Sequence, residues 1–160
     1  IFNRKAKNII DYVKKNEDDL WEAVNIGSLN TKGFEFDLTY RFGSADNLSK
    51  NNFFSFGYTS IKDDNYVSNV NFSRYSLNSL RHQLISKLNL NYVKNLNHSI
   101  VYKYSERSDK TNYSVLDTKI TYKKGLYLSV NNILDEVYSE TNLVPMPGRN
   151  FLVGISVGID

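Results

Sequence analysis

The run Gly154-Ile155-Ser156-Val157-Gly158 spells G-x-S-x-G. In hydrolases that spacing puts a nucleophilic serine on a sharp strand-to-helix elbow, with a histidine and an acid to activate it. Ser156 instead alternates with Ile155 and Val157 as a strand residue does, and reads as a small residue on one face. The histidines, His82 and His98, fall on the apolar sides of alternating segments near their ends. That favours interfacial placement over a catalytic base or a metal ligand. Glu35 and Asp37 share one side two residues apart; balance against Arg41 and basic neighbours explains them better than acid–base catalysis. Asp63-Asp64-Asn65 lacks the further oxygen ligands of a calcium loop, and no zinc-protease, P-loop or dinucleotide motif occurs. No catalytic, cofactor-binding or metal-binding residue is assigned, and the chain reads as a non-enzyme. The residues best placed to touch a ligand are Tyr66, Arg74, Tyr75 and Arg149, in polar loops between alternating segments. Ordinary loop packing is the plainer reading of them.

These residues are carried by segments of strict alternation. In residues 33–42 the even positions are Phe34, Phe36, Leu38, Tyr40 and Phe42, and the odd positions are Gly33, Glu35, Asp37, Thr39 and Arg41. A period of two is the mark of a strand with unlike faces; a helix would set Phe34 beside Asp37. The pattern recurs around Phe54, Leu84 and Leu88, Tyr102, Ile120, Leu128, and Val153 and Ile155. On the apolar side of all these segments there is no Asp, Glu, Lys or Arg. The charges fall on the other side, at Glu35, Asp37, Arg41, Arg81, Lys87, Lys103, Asp117 and Lys119.

Composition alone suggests something quite different. Charged residues make 23% of the chain and mean hydropathy is −0.45, as in a polar soluble protein. Yet Tyr 12, Phe 9 and Trp 1 make the chain 14% aromatic. No apolar run approaches the length of a membrane-spanning helix, but spanning strands need no such run. Lys and Arg exceed Asp and Glu by only 20 to 17, and the two signs are mixed along the chain, which excludes a nucleic-acid-binding stripe. The absence of cysteine removes disulfides and thiol chemistry.

A charge-free face suits either a dry core or lipid, and two features favour lipid. The opposite face carries charges and small residues, as a water-filled or plugged lumen would. Connections also alternate in length, with short turns near 43–51, 93–97 and 123–125 and longer polar loops near 62–77, 106–113 and 135–148. Outer-membrane barrels keep short periplasmic turns and long external loops. Tyr40, Phe42, Tyr92 and Tyr122 precede the short turns, as an interfacial aromatic girdle would. Near the start, Phe2, Ala6, Ile9 and Val13 have helical spacing. An ascending strand to about Tyr12, then a loop over Lys14–Glu22, keeps the up-and-down count consistent. The expectation is an all-β, antiparallel up-and-down transmembrane barrel wall of about eight strands. Phe34, Phe36, Leu38, Leu84, Leu88, Ile120, Leu128, Val153 and Ile155 would face lipid. The charged residues from Glu35 to Lys119 would face the lumen.

Four motifs then resemble a known family. They are the run from Trp21 through Gly33-Phe34-Glu35, the run Ser73-Arg74-Tyr75 to Leu84, Val130-Asn131-Asn132-Ile133-Leu134-Asp135-Glu136-Val137-Tyr138, and Pro145-Met146-Pro147-Gly148-Arg149-Asn150-Phe151. In this order they resemble the C-terminal part of TonB-dependent outer-membrane receptors, nearest the cobalamin- and siderophore-receptor group of Bacteroidetes-like bacteria. The resemblance implies a bacterial outer-membrane protein with a barrel of about 22 strands around an N-terminal plug. Residues 1–160 would be a C-terminal segment of that barrel, and the plug would lie outside them. Implied partners are outer-membrane lipid, the plug and remaining strands, the TonB energy-coupling protein and the barrel-assembly machinery. Family members usually end on an aromatic residue, whereas this sequence ends Ile159-Asp160. The functional expectation is energy-coupled uptake of a scarce ligand. A self-contained small outer-membrane barrel with a structural or adhesive role, and a soluble ligand-binding β-barrel, stay open as rivals.

Overall fold

The computed structural model describes residues 1–25, 27–43, 52–65, 72–74, 79–108, 110–123, 125–141 and 144–156. Its strands are β1 (Phe2–Lys7), β2 (Ile10–Lys14), β3 (Glu22–Asn25), β4 (Ser28–Arg41), β5 (Phe53–Asn65), β6 (Phe72–Ser73), β7 (Leu80–Val93), β8 (Leu96–Arg107), β9 (Asn112–Tyr122), β10 (Leu126–Asn131), β11 (Ser139–Thr141), β12 (Val144–Pro145) and β13 (Asn150–Ile155). Eight of them form one antiparallel sheet in the order β1-β4-β5-β7-β8-β9-β10-β13. Neighbours in that order are successive along the chain apart from three local insertions, after β1, β5 and β10, so this is the expected up-and-down meander. The first two insertions combine as a three-stranded sheet β3-β2-β6, and the third is a hairpin β11-β12.

Contacts gather the chain into two units. The first comprises Ile1–Phe36, Thr59–Gln83 and Ser105–Asn112, and the second Asp37–Tyr58, Leu84–Tyr104 and Tyr113–Asp160.

In the first unit β1 pairs with β4 from Phe2↔Gly33 to Lys7↔Ser28. The Phe2 ring lies directly over Gly33, where any Cβ would collide with it. Strand β1 ends at Lys7, earlier than the expected ascent to Tyr12. Asn8 takes a left-handed backbone, φ 56, and donates its N–H to Gly27 O at 2.7 Å, closing the ladder and turning the chain away. The chain then enters a hairpin: β2 pairs with β3, and its end pairs with β6 through Val13↔Ser73. Ser73 Oγ donates to Asp11 Oδ2 at 2.5 Å in a buried position. The β8–β9 connection is tighter than the loop expected over 106–113. Arg107 N–H bonds Thr111 O at 2.9 Å, with Lys110 left-handed at φ 68.

In the second unit the register sets Ile120, Leu128 and Val153 in one row and Tyr122, Leu126 and Ile155 in the next. Lys119, Ser129 and Leu152 form a row on the opposite face. Asn95 and Lys123 are left-handed at the two short turns, φ 70 and 50. Lys123 N–H donates to Asn95 O at 2.6 Å, tying one turn to the next. Val157 and Ile159, expected in the last strand, lie outside the described residues.

Burial is inverted relative to a soluble sheet. Leu128 is 45% exposed while its neighbour Ser129 is 8% exposed. Among the described residues of this unit, the buried ones are Tyr113, Val115, Asn89, Ser129 and Asn132, all away from the apolar rows. Water would penalise this arrangement, since exposed apolar surface costs about 25 cal/mol per Å².

Candidate functional site

Each face has its own chemistry. Of the residues expected to face lipid, Phe34, Phe36, Leu38, Ile120, Leu128, Val153 and Ile155 are exposed, and Leu84 and Leu88 are half-buried. Two polar groups on that face are paired across strands, as suits a place where no water is available. His98 Nε2 meets Thr118 Oγ1 at 2.7 Å, and Tyr102 Oη meets Ser114 Oγ at 3.0 Å. Near the short turns Tyr40 stacks on Phe42 with centroids 6.0 Å apart, and Lys123 Nζ sits 5.4 Å from the Tyr122 ring. The side chain of Tyr92 lies outside the described residues.

The opposite face is a field of hydrogen bonds and cations over rings. Asn52 Oδ1 accepts from Asn91 N–H at 2.7 Å, and Asn97 Nδ2 donates to Asn91 Oδ1 at 3.1 Å. Lys87 Nζ lies 5.5 Å from the Phe53 ring, and Lys119 Nζ lies 4.3 Å from the Tyr127 ring. Each is the cation–π geometry that lets a long basic side chain lie along a sheet. Tyr127 also covers Gly154 across the strand pair. The glycine of the apparent nucleophile pattern is thus a seat for an aromatic ring, and Ser156 N–H bonds Gly125 O at 2.9 Å. Glu35, Asp37, Arg41 and Arg81 are exposed; Asp37 Oδ1 lies close against Gly57.

The richest polar constellation closes the connection from β10 to β13. Asn132 is 2% exposed and left-handed, φ 52, a conformation asparagine tolerates better than most residues. Its N–H donates to Asp117 Oδ1 at 2.7 Å. Its Nδ2 donates to Glu136 O at 2.9 Å and to Pro147 O at 3.3 Å, while its Oδ1 accepts Glu136 N–H at 3.0 Å. Asp135 Oδ1 accepts Arg149 N–H at 2.8 Å, and Arg149 Nε donates to Ile133 O at 2.9 Å. A Cβ at Gly148 would stand 3.0 Å from Asp135 Oδ1, a tight contact. The motifs around Asn132 and around Arg149 therefore lock into each other. Farther along, Lys103 forms an ion pair with Glu140, Tyr113 Oη donates to Glu140 Oε1 at 3.3 Å, and the Tyr113 and Tyr138 rings are 4.5 Å apart. Burial and the Glu140 charge hold the Tyr138 phenol above its usual pKa.

Of the residues expected to meet a ligand, Arg149 is thus committed to the backbone of its own loop. Arg74 lies in the first unit with its guanidinium 5.3 Å from the Trp21 ring, which Lys14 also approaches at 5.2 Å. Tyr66 and Tyr75 lie outside the described residues. The parts that sequence reasoning missed are Asn132 as a hub, Glu140 as the partner of Lys103, and the Asp11–Ser73 pair. For Asn132 a signal existed, because Asn132 to Tyr138 is a recognisable run; the other two join residues far apart in sequence.

An exposed apolar face, free of charge along its middle rows, backed by a hydrogen-bonded polar face, is the organisation of a transmembrane β-barrel wall. A family model described as TonB dependent receptor-like, beta-barrel matches residues 1–133. The chain belongs to that family, whose members act as receptors and transporters in the outer membrane of Gram-negative bacteria together with a plug domain and TonB. No match is found among curated proteins or among solved structures.

Proposed function

We propose that this chain supplies barrel wall and external loops to a receptor that imports a scarce ligand across the outer membrane, driven by TonB. A ferric siderophore, a cobalamin or a compound of similar size is the ligand class. Residues 1–160 serve as a C-terminal barrel segment, completed by further strands and a plug and inserted by the barrel-assembly machinery. Their contribution is wall and loop surface rather than catalysis. The inverted burial of β9, β10 and β13 carries the reading, because an exposed row of Ile120, Leu128 and Val153 is stable only where something other than water covers it.

The 160 residues have no cysteine, which suits a labelling test in the full-length encoded protein. Nitroxide placed by Ile120→Cys should be more accessible to oxygen in a bilayer. At the adjacent Lys119→Cys it should be more accessible to a water-soluble nickel chelate. Equal profiles at the two positions would sink the lipid-facing assignment. For transport, cells expressing the whole gene should lose uptake of the labelled ferric siderophore or cobalamin when TonB is inactivated; undiminished uptake would overturn energy coupling.

A further inference from the structure

We infer that the outward face at the loop end of β1, β4 and β5 holds the phosphates of an outer-leaflet glycolipid. The inference rests on the lipid-facing reading of that face. Even positions of β4 run Ser28, Asn30, Lys32 and then Phe34, Phe36 and Leu38, so one face changes from cationic and polar to apolar within two residues. The register brings Asn3, Lys5 and Lys7 of β1 beside Lys32, Asn30 and Ser28. On β5, Gly57 sits against Asp37. Carrying that antiparallel alignment up the strands sets Ser60 opposite Phe34 and Lys62 opposite Lys32. Lys32, Phe34, Ser60 and Lys62 do line one open hollow of about 340 Å³.

Like charges facing each other across a strand pair are destabilising. Lys5, Lys7, Lys32 and Lys62 are all exposed, and among the described residues they form no ion pair. An anion bridging Lys32 and Lys62 removes the repulsion. Its position, just beyond Phe34 and Phe36, is the depth at which a lipid with acyl chains along the aromatic face carries its headgroup. Basic residues next to a bilayer attract anionic headgroups in this manner, and each is worth about fivefold in affinity. A phosphate-bearing lipid is favoured over a free anion because the apolar row continues without a break beneath the lysines.

The test uses the full-length protein in phosphatidylcholine nanodiscs, titrated with bisphosphorylated lipid A and with its dephosphorylated form. The wild type should bind the bisphosphorylated lipid at least about tenfold more tightly than the dephosphorylated one. The double variant Lys32→Gln/Lys62→Gln should lose that preference, Lys32→Arg/Lys62→Arg should keep it, and Lys123→Gln, at a short turn, should leave it unchanged. Equal binding of both lipids by the wild type, or full retention by the glutamine variant, overturns the inference. A nitroxide at Phe36→Cys separates the two levels. A lipid-like profile there without phosphate preference rejects this site alone, and a water-like profile rejects the outward-face reading itself.

Discussion

Asn132 shows how much one side chain can organise. Its amide makes three hydrogen bonds within the loop, each worth about 1 kcal/mol net when buried. Asn132→Ala should therefore cost about 3 kcal/mol in urea unfolding of the full-length protein, together with about 1 kcal/mol for placing alanine at positive φ. Asn132→Gly should recover only that second part. The Lys103–Glu140 pair looks more prominent but is partly exposed, at 28% and 36%, and such pairs contribute about 0–1 kcal/mol. Glu140→Gln should thus shift the unfolding midpoint far less than Asn132→Ala. The reverse ranking would show that the ion pair, not the asparagine, holds the loop.

Strand β4 carries the contrast between the two faces in adjacent residues. Leu38 is 50% exposed on the apolar face, and Leu38→Arg at mid-bilayer depth should cost about 2–4 kcal/mol. Asp37→Asn, one residue away on the wet face, should cost under about 1 kcal/mol; equal losses in a lipid refolding titration would argue against this facing of the strand. Apart from β1, where Phe2 and Ala6 have helical spacing, the strands of the main sheet were legible because each must present one uniform face to its surroundings, so alternation survives in the sequence. The segment from Ile10 to Asn25 was not legible. Its strands lie outside the sheet and carry no such alternation, and β2 is completed by Ser73, 62 residues beyond Asp11. The tight turn after Arg107 escaped for a related reason: its polar residues read as loop although Thr111 O still accepts from the strand. Arg149 was recognisable as a motif residue, but its partner is the carbonyl of Ile133, and a backbone acceptor leaves no trace in residue type.

For the whole molecule, inverted burial reconciles a mean hydropathy of −0.45 with a membrane-spanning family. The average combines an apolar surface, charged only toward its loop end, with a wet, cross-bonded one. In the proposed receptor ligand choice falls to the loops, and the β10–β13 connection shows how such a loop can change without harming the wall. Asn132, Asp135 and Arg149 fasten its base, so the hairpin of β11 and β12 stands on a stem that is already closed. Lengthening a closed loop costs only about 0.6 kcal/mol per doubling. An epitope tag inserted after Thr141 should leave the unfolding midpoint nearly unchanged and be reached by antibody on intact cells; loss of folding or of access would contradict this. A connection locked at its base lets the sequence it carries vary at little cost to the strands beneath, so in the proposed receptor new binding specificities could be sampled while the wall is left alone.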